Sequence, residues 1–130
     1  MRHRDFVEVV WARGDFESEA AARDAAEATM RTLGERIAAG EAKTIGEQLP
    51  DGLSGPLMTA GGDAESFPPT EFVDRVGRRE DGADDPERHV RAVFEALRFR
   101  LDGGEWPDLR TQLPPEYGAL FETPDEQTDA

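Results

Sequence analysis

His3 and His89 are the two histidines of this 130-residue chain, and it contains no cysteine. Imidazole chemistry therefore falls to those two positions. Thiolate chemistry is excluded, so neither a disulfide scaffold nor a cysteine-based zinc site can form. Asp85 and His89 stand four apart, a spacing that puts both on one helix face and would make His89 a mild pH sensor. Two ligands do not make a metal centre, and Asp85, directly before Pro86, has the place of a helix cap. Ser18, Ser54 and Ser66 fall in cap, turn and linker contexts, without the Gly-x-Ser-x-Gly elbow of a hydrolase nucleophile. Gly61-Gly62-Asp63 and Gly103-Gly104-Glu105 read as turns, since neither follows a strand as a phosphate-cradling loop does. No catalytic, cofactor-binding or metal-ligating residue is assigned, and the chain reads as a non-enzyme.

The arginines offer a different chemistry. Arg75, Arg78 and Arg79 cluster, and Arg88, Arg91 and Arg98 recur at three-and-seven spacing, with Arg100 close behind. One reading pairs them with Glu80, Glu87 and Glu95 as ordinary surface ion pairs at helical spacing. The other makes them a local positive face suited to an acidic protein segment or to nucleic acid. Phe99 sits between Arg98 and Arg100, off the apolar stripe of its helix. An aromatic beside arginines fits an interface hot spot, and a second core face is the competing account. The candidate interface is therefore Arg91, Arg98, Phe99 and Arg100. Trp11 and Trp106 adjoin apolar stripes and fit the core, and Tyr117 is the remaining aromatic clue.

Overall charge bounds the partners. There are 29 acidic against 15 basic residues, a formal net charge of −14, and Lys43 is the one lysine. Such a surface repels itself in dilute buffer. At about 1 M salt the Debye length falls to about 3 Å and most of that repulsion disappears, so the composition points to a salt-rich cytoplasm. A GC-rich genome would also favour arginine over lysine, without explaining the acid excess. The same excess argues against generic duplex DNA binding, which needs cations to displace counterions. No apolar run approaches the roughly 20 residues that span a bilayer, no basic amphipathic helix suits an anionic membrane, and Met1 to Asp5 lead into no signal-peptide core. A soluble, cytoplasmic product is expected.

The elements that must position these residues come from a pattern written twice. Asp5-Phe6-Val7-Glu8-Val9-Val10 reappears as Glu71-Phe72-Val73-Asp74-Arg75-Val76. Gly40-Glu41 recurs as Gly104-Glu105, and Gln48-Leu49-Pro50 as Gln112-Leu113-Pro114. The offset between copies shifts by two residues along the way, as one deletion after the first helix of the second copy would produce.

Each copy reads as three helical pieces. The first is short, with Phe6, Val7 and Val10 on one face and Phe72, Val73 and Val76 on its counterpart, where Thr70 is a plausible N-cap. The second is long, from about Glu19 to Ala39 and from about Pro86 to Leu101. Ser18 and Asp85 stand as their caps, and Gly40 and Gly103-Gly104 as their left-handed stops. Their stripes are Ala22, Ala26, Thr29 or Met30, Leu33 and Ile37, against Val90, Val93, Phe94, Leu97 and Leu101. Small first-copy residues facing larger second-copy ones suggest that the long helices pack together. The third piece runs from Ala42 to Leu49 and from Pro107 to Leu113, each halted by proline. Gln48, Leu49, Pro50, Gln112, Leu113 and Pro114 are read as architecture: leucine plugs the core, proline stops the helix, and glutamine bonds a free backbone group at the turn.

The expected fold is all-α, a helical bundle of two tandem three-helix repeats with a shared core. It forms a single domain over 1–122, with repeat one about 5–58, a linker at 59–69 and repeat two about 70–121. An acidic disordered tail at 123–130 follows.

This pattern resembles the prokaryotic domain-of-unknown-function family numbered 2267. The likeness rests on Phe72-Val73-Asp74-Arg75-Val76, on Arg91 to Leu97, and on Gly-Glu followed by Gln-Leu-Pro in both halves. It covers essentially residues 5 to 121. The family often carries an aromatic, glycine-containing segment after its first Gln-Leu-Pro, whereas residues 51–58 here have no tyrosine or tryptophan. The resemblance implies an all-helical fold and brings no activity, cofactor or catalytic residue with it.

The function expected from these readings is a non-catalytic protein-interaction or regulatory module in a halophilic cytoplasm. An unknown protein partner or a homo-oligomer is expected, with no cofactor and no membrane. The alternative is a nucleic-acid-associated protein using the arginine face of the first two helices of repeat two.

Overall fold

The computed structural model describes residues 3–14, 16–49, 52–59, 64–80, 85–101 and 104–121, and every regular element among them is helical. In chain order these are α1 (His3–Gly14), α2 (Glu19–Arg36), α3 (Ala39–Gly46), α4 (Ser54–Thr59), α5 (Pro69–Arg79), α6 (Pro86–Arg100) and α7 (Glu105–Gln112), then a 3-10 helix, Pro115–Phe121. No helix among the described residues is long and apolar enough to cross a membrane. Pro50, Gly61 to Asp63, Gly103 and the tail from residue 122 onward lie outside the described residues.

Local chemistry sets the helix starts. Ser18 accepts from the Ala21 N–H at 3.1 Å and caps α2. Asp85 accepts from the Arg88 N–H at 3.2 Å, ahead of Pro86, and caps α6. In each case a side-chain oxygen satisfies a donor that the first turn leaves free. Thr70 is not a cap: α5 begins one residue earlier, with Pro68 extended at the N-cap position and Pro69 preset for the first turn.

The helix ends correct the glycine expectation. The long helices stop at Ile37 and Leu101, both extended, whose N–H groups bond the Leu33 and Leu97 carbonyls. A chain that leaves in extended form needs no left-handed residue. Gly40 therefore lies inside α3, and Gly104 precedes α7 with a negative φ. The positive φ belongs to Gly52, at 95°, in the turn that starts α4. At Gly14 a Cβ would overlap the Phe16 ring, so a larger residue there would have to push that ring aside.

The core joins both halves of the chain. Phe6, Val7, Val10, Met30, Leu33, Phe72, Val76, Val90, Phe94 and Leu97 are all buried in one cluster. The alanines of α2 let its neighbours approach closely, and α2 packs against α1, α4, α5 and α6. The most extensive pairing sets α1 on α6, while α5 packs on α2. Each early helix thus lies on the long helix of the other half. α6 carries α1, α2, α5 and the 3-10 helix, and every residue from Val90 to Leu97 is buried. Periodicity makes α6 amphipathic; tertiary packing surrounds it.

α4 and the 3-10 helix are the elements that the apolar spacing does not announce. Both are short and follow a Gln-Leu-Pro. Leu57 of α4 is buried with Leu53 just ahead of it, and Tyr117 and Leu120 of the 3-10 helix are buried likewise.

Candidate functional site

The last turn of α6 carries the residues singled out as an interface. Phe99 is 56% exposed, above Met58 and Trp11 among the large hydrophobics of the described residues. Arg98 is exposed and Arg100 half-buried. The Arg100 Nε is sealed from solvent without a hydrogen-bond partner. Among the described residues, neither Arg98 nor Arg100 has a carboxylate at ion-pair distance.

Arg91 does not share that surface. Its side chain is 3% exposed, its Nη2 pairs with Glu87, and its Nε and Nη1 are sealed without partners. The cause is the packing of α6 on all sides, which three-and-seven spacing cannot reveal. Glu95 is buried on the same helix. Its Oε2 lies 2.8 Å from the Arg13 Nε of α1, without hydrogen-bond alignment, so this contact is Coulombic.

The α5 arginines also find partners that the sequence spacing did not suggest. Arg75 Nη1 donates to Glu35 and Glu65 at 3.2 and 3.0 Å, and its Nε donates to Glu71 at 3.0 Å. Arg79 donates to Glu35 at 2.7 Å and to the Thr32 hydroxyl at 2.8 Å. The Arg79 hydrogen bond holds the Glu35 carboxyl below its usual range, against the opposing effect of burial. Arg78 reaches no further than the Asp74 carbonyl, at 3.4 Å. Of the three expected glutamate partners, Glu87 alone meets its helical neighbour.

Glu80, the C-cap of α5, instead faces His89, with 2.7 Å between its Oε2 and the His89 Nδ1. Glu80 Oε1 is sealed without a partner, and the His89 ring lies tilted against that of Phe16, with centroids 4.2 Å apart. Asp85 is committed to its cap and does not pair with His89. Among the described residues no three acidic or imidazole groups are placed to hold a metal ion.

One hub escaped the sequence reading. Tyr117 is fully buried, donates to the Phe67 carbonyl and accepts from the Arg36 Nε at 3.3 Å. Arg36 Nε also donates to the Phe67 carbonyl at 3.2 Å, and the Arg75 guanidinium lies 3.9 Å from the Phe67 ring centroid. Burial pushes the Tyr117 hydroxyl above its usual range. The available signal was Phe67 itself, an aromatic inside a segment otherwise of linker composition.

A shallow groove of about 500 Å³ lies at the 3-10 helix, lined by Pro107, Arg110, Leu113, Pro115 and Phe121 among others. The Arg110 guanidinium sits 5.1 Å from the Phe121 ring centroid.

Set against known families, residues 3–120 match the sequence model of an uncharacterized conserved protein family, DUF2267. The chain belongs to the DUF2267 family. No curated protein matches it.

The duplicated motifs of this DUF2267 protein occupy the joints of the fold. Leu49 and Leu113 are buried, and Gln48 is half-buried. Gln112 Oε1 accepts from the Ala38 N–H at 3.4 Å, so a residue ending α7 caps the start of α3 in the other half. Pro114 is half-buried and accepts from the Tyr117 N–H at 2.9 Å. Pro50 lies outside the described residues. Glu41 and Glu105 open α3 and α7, which pack together, and one oxygen of each is sealed without a partner. Burial first, then the charges of Glu105 and Asp108, pushes the Glu41 carboxyl above its usual range.

Proposed function

We propose that this DUF2267 chain is a non-catalytic protein-interaction or regulatory module of a salt-rich cytoplasm, built as two tandem helical repeats around a shared core. The observation that carries the interaction reading is the exposure of Phe99 at the end of a helix that is buried from Val90 to Leu97. A large aromatic in water at the end of a rigid, buried helix gives a partner apolar area to cover without ordering the helix first. The repeat reading draws support from the crosswise packing of α1 on α6 and α5 on α2, and from the matched C-caps Ile37 and Leu101. On this reading each unit is the three-piece pattern of the sequence followed by one further short helix, α4 or the 3-10 helix.

The nucleic-acid alternative loses much of its footing because Arg75 and Arg79 are occupied by glutamates and Arg91 is buried. Affinity purification of the full chain from its native lysate in molar KCl, with light scattering of the eluate, tests the proposal. A complex of defined stoichiometry is expected. Elution of the chain alone at monomer mass would overturn it.

A further inference from the structure

We propose that Arg98, Phe99 and Arg100 form a docking point for an acidic peptide segment bearing an apolar anchor. This rests on the interaction-module reading and names the partner's chemistry.

Three features of the patch combine. Phe99 offers an exposed ring, 56% accessible. Arg98 and Arg100 flank it in sequence, and neither meets a carboxylate among the described residues. Arg75, Arg79 and Arg91, by contrast, are each held by glutamates. Arg100 is half-buried, with its Nε enclosed, so its stem is already positioned and less rotamer freedom is lost when its terminal nitrogens bind. The helix is firm to its end, because the Leu101 N–H bonds the Leu97 carbonyl at 2.8 Å.

Charge complementarity selects the occupant. Guanidinium groups take carboxylates through paired, charge-assisted hydrogen bonds that survive at contact range. At about 1 M salt, with a Debye length of about 3 Å, such contacts remain while the long-range repulsion of the net charge of −14 is screened. A polynucleotide is a poorer fit, since its affinity comes from releasing many counterions and two cations release about two. An apolar anchor beside the carboxylates covers the Phe99 ring.

Fluorescence anisotropy on the full chain in molar KCl tests the assignment, using a short labelled peptide of alternating glutamate and leucine. A lysine–leucine peptide and a single-stranded oligonucleotide serve as controls. Saturable binding of the acidic peptide alone is expected. Phe99→Ser should weaken it about tenfold or more, and Arg98→Glu with Arg100→Glu should abolish it. Arg98→Glu alone, at an exposed position like Phe99, should weaken it too, and both single variants should keep the wild-type melting temperature. Equal affinity of wild type and variants, no binding of the acidic peptide, or preference for the oligonucleotide would overturn the assignment. A native complex retained by Phe99→Ser would leave the module reading standing and remove this docking point. Peptide binding at the patch with no native complex would remove the module reading alone.

Discussion

The hydroxyl of Tyr117 donates a 2.6 Å hydrogen bond to the main-chain carbonyl of Phe67. It ties the 3-10 helix to the stretch that leads into α5, and Arg36 of α2 donates to both partners. Tyr117→Phe should cost about 1–1.5 kcal/mol, read as a lower denaturant midpoint at unchanged slope. Because burial raises the Tyr117 pKa in the folded state, the native form holds that proton longer than the unfolded chain. Stability should therefore fall as pH rises past about 10, and the phenylalanine variant should flatten that fall. An unchanged midpoint would show that the hub is not structural.

Arg91 is a buried cation with two unsatisfied donors. Replacing such a group by an apolar residue of similar length removes desolvation cost together with the ion pair. Arg91→Met should be neutral or stabilising by about 1–3 kcal/mol in urea unfolding. Arg91→Glu, facing Glu87, should unfold the chain. A strongly destabilised methionine variant would mean that the pair with Glu87 outweighs its burial.

Two glutamates should give pH profiles of opposite slope. Glu35 is lowered in the folded state, chiefly by the Arg79 hydrogen bond, so its contribution is present above the ordinary carboxylate pKa and lost on acidification. Glu35→Gln should lower the melting temperature at pH 7 and reduce the acid-side loss. Glu41 is raised by burial and by Glu105 and Asp108, so its contribution is present at acid pH and lost as pH climbs through the carboxylate range. Glu41→Gln should raise the melting temperature at neutral pH by about 1–3 °C. Thermal melts from acid to neutral pH decide it, and parallel profiles for the two variants would contradict the assignment.

The acid surplus predicts a melting temperature that climbs steeply with KCl. Screening at about 1 M leaves a Debye length of about 3 Å and removes most of the self-repulsion. Calorimetry between dilute buffer and molar salt is the measurement. A flat response would remove the salt-rich habitat.

Much of the fold was legible. The three-and-four spacing of Phe6, Val10, Leu33, Val90 and Leu97 marks them as core, and all are fully buried. Ser18 and Asp85 cap their helices through local chemistry, which acts within one turn and needs no distant partner. The short elements were harder. α4 and the 3-10 helix are too brief for a period to show, and their burial depends on other segments.

The candidate site divides in the same way. Phe99 stood out in the sequence because it left the apolar stripe, and it is exposed. Arg91 left the stripe too, yet it is enclosed, because coverage of a helix face is a property of the neighbouring helices. Glu95 and Glu80 met Arg13 and His89 instead of helical neighbours for the same reason.

By itself the sequence determined helicity, the long-helix cores, the N-caps of the two long helices and the charge, since periodicity and hydrogen-bonding preference are encoded within a few residues. Only the tertiary structure decided which arginines stay at the surface, that Gln112 caps the opposite half, and that Tyr117 meets Phe67. These depend on contacts between residues far apart in the chain, and local patterns do not specify which segments meet.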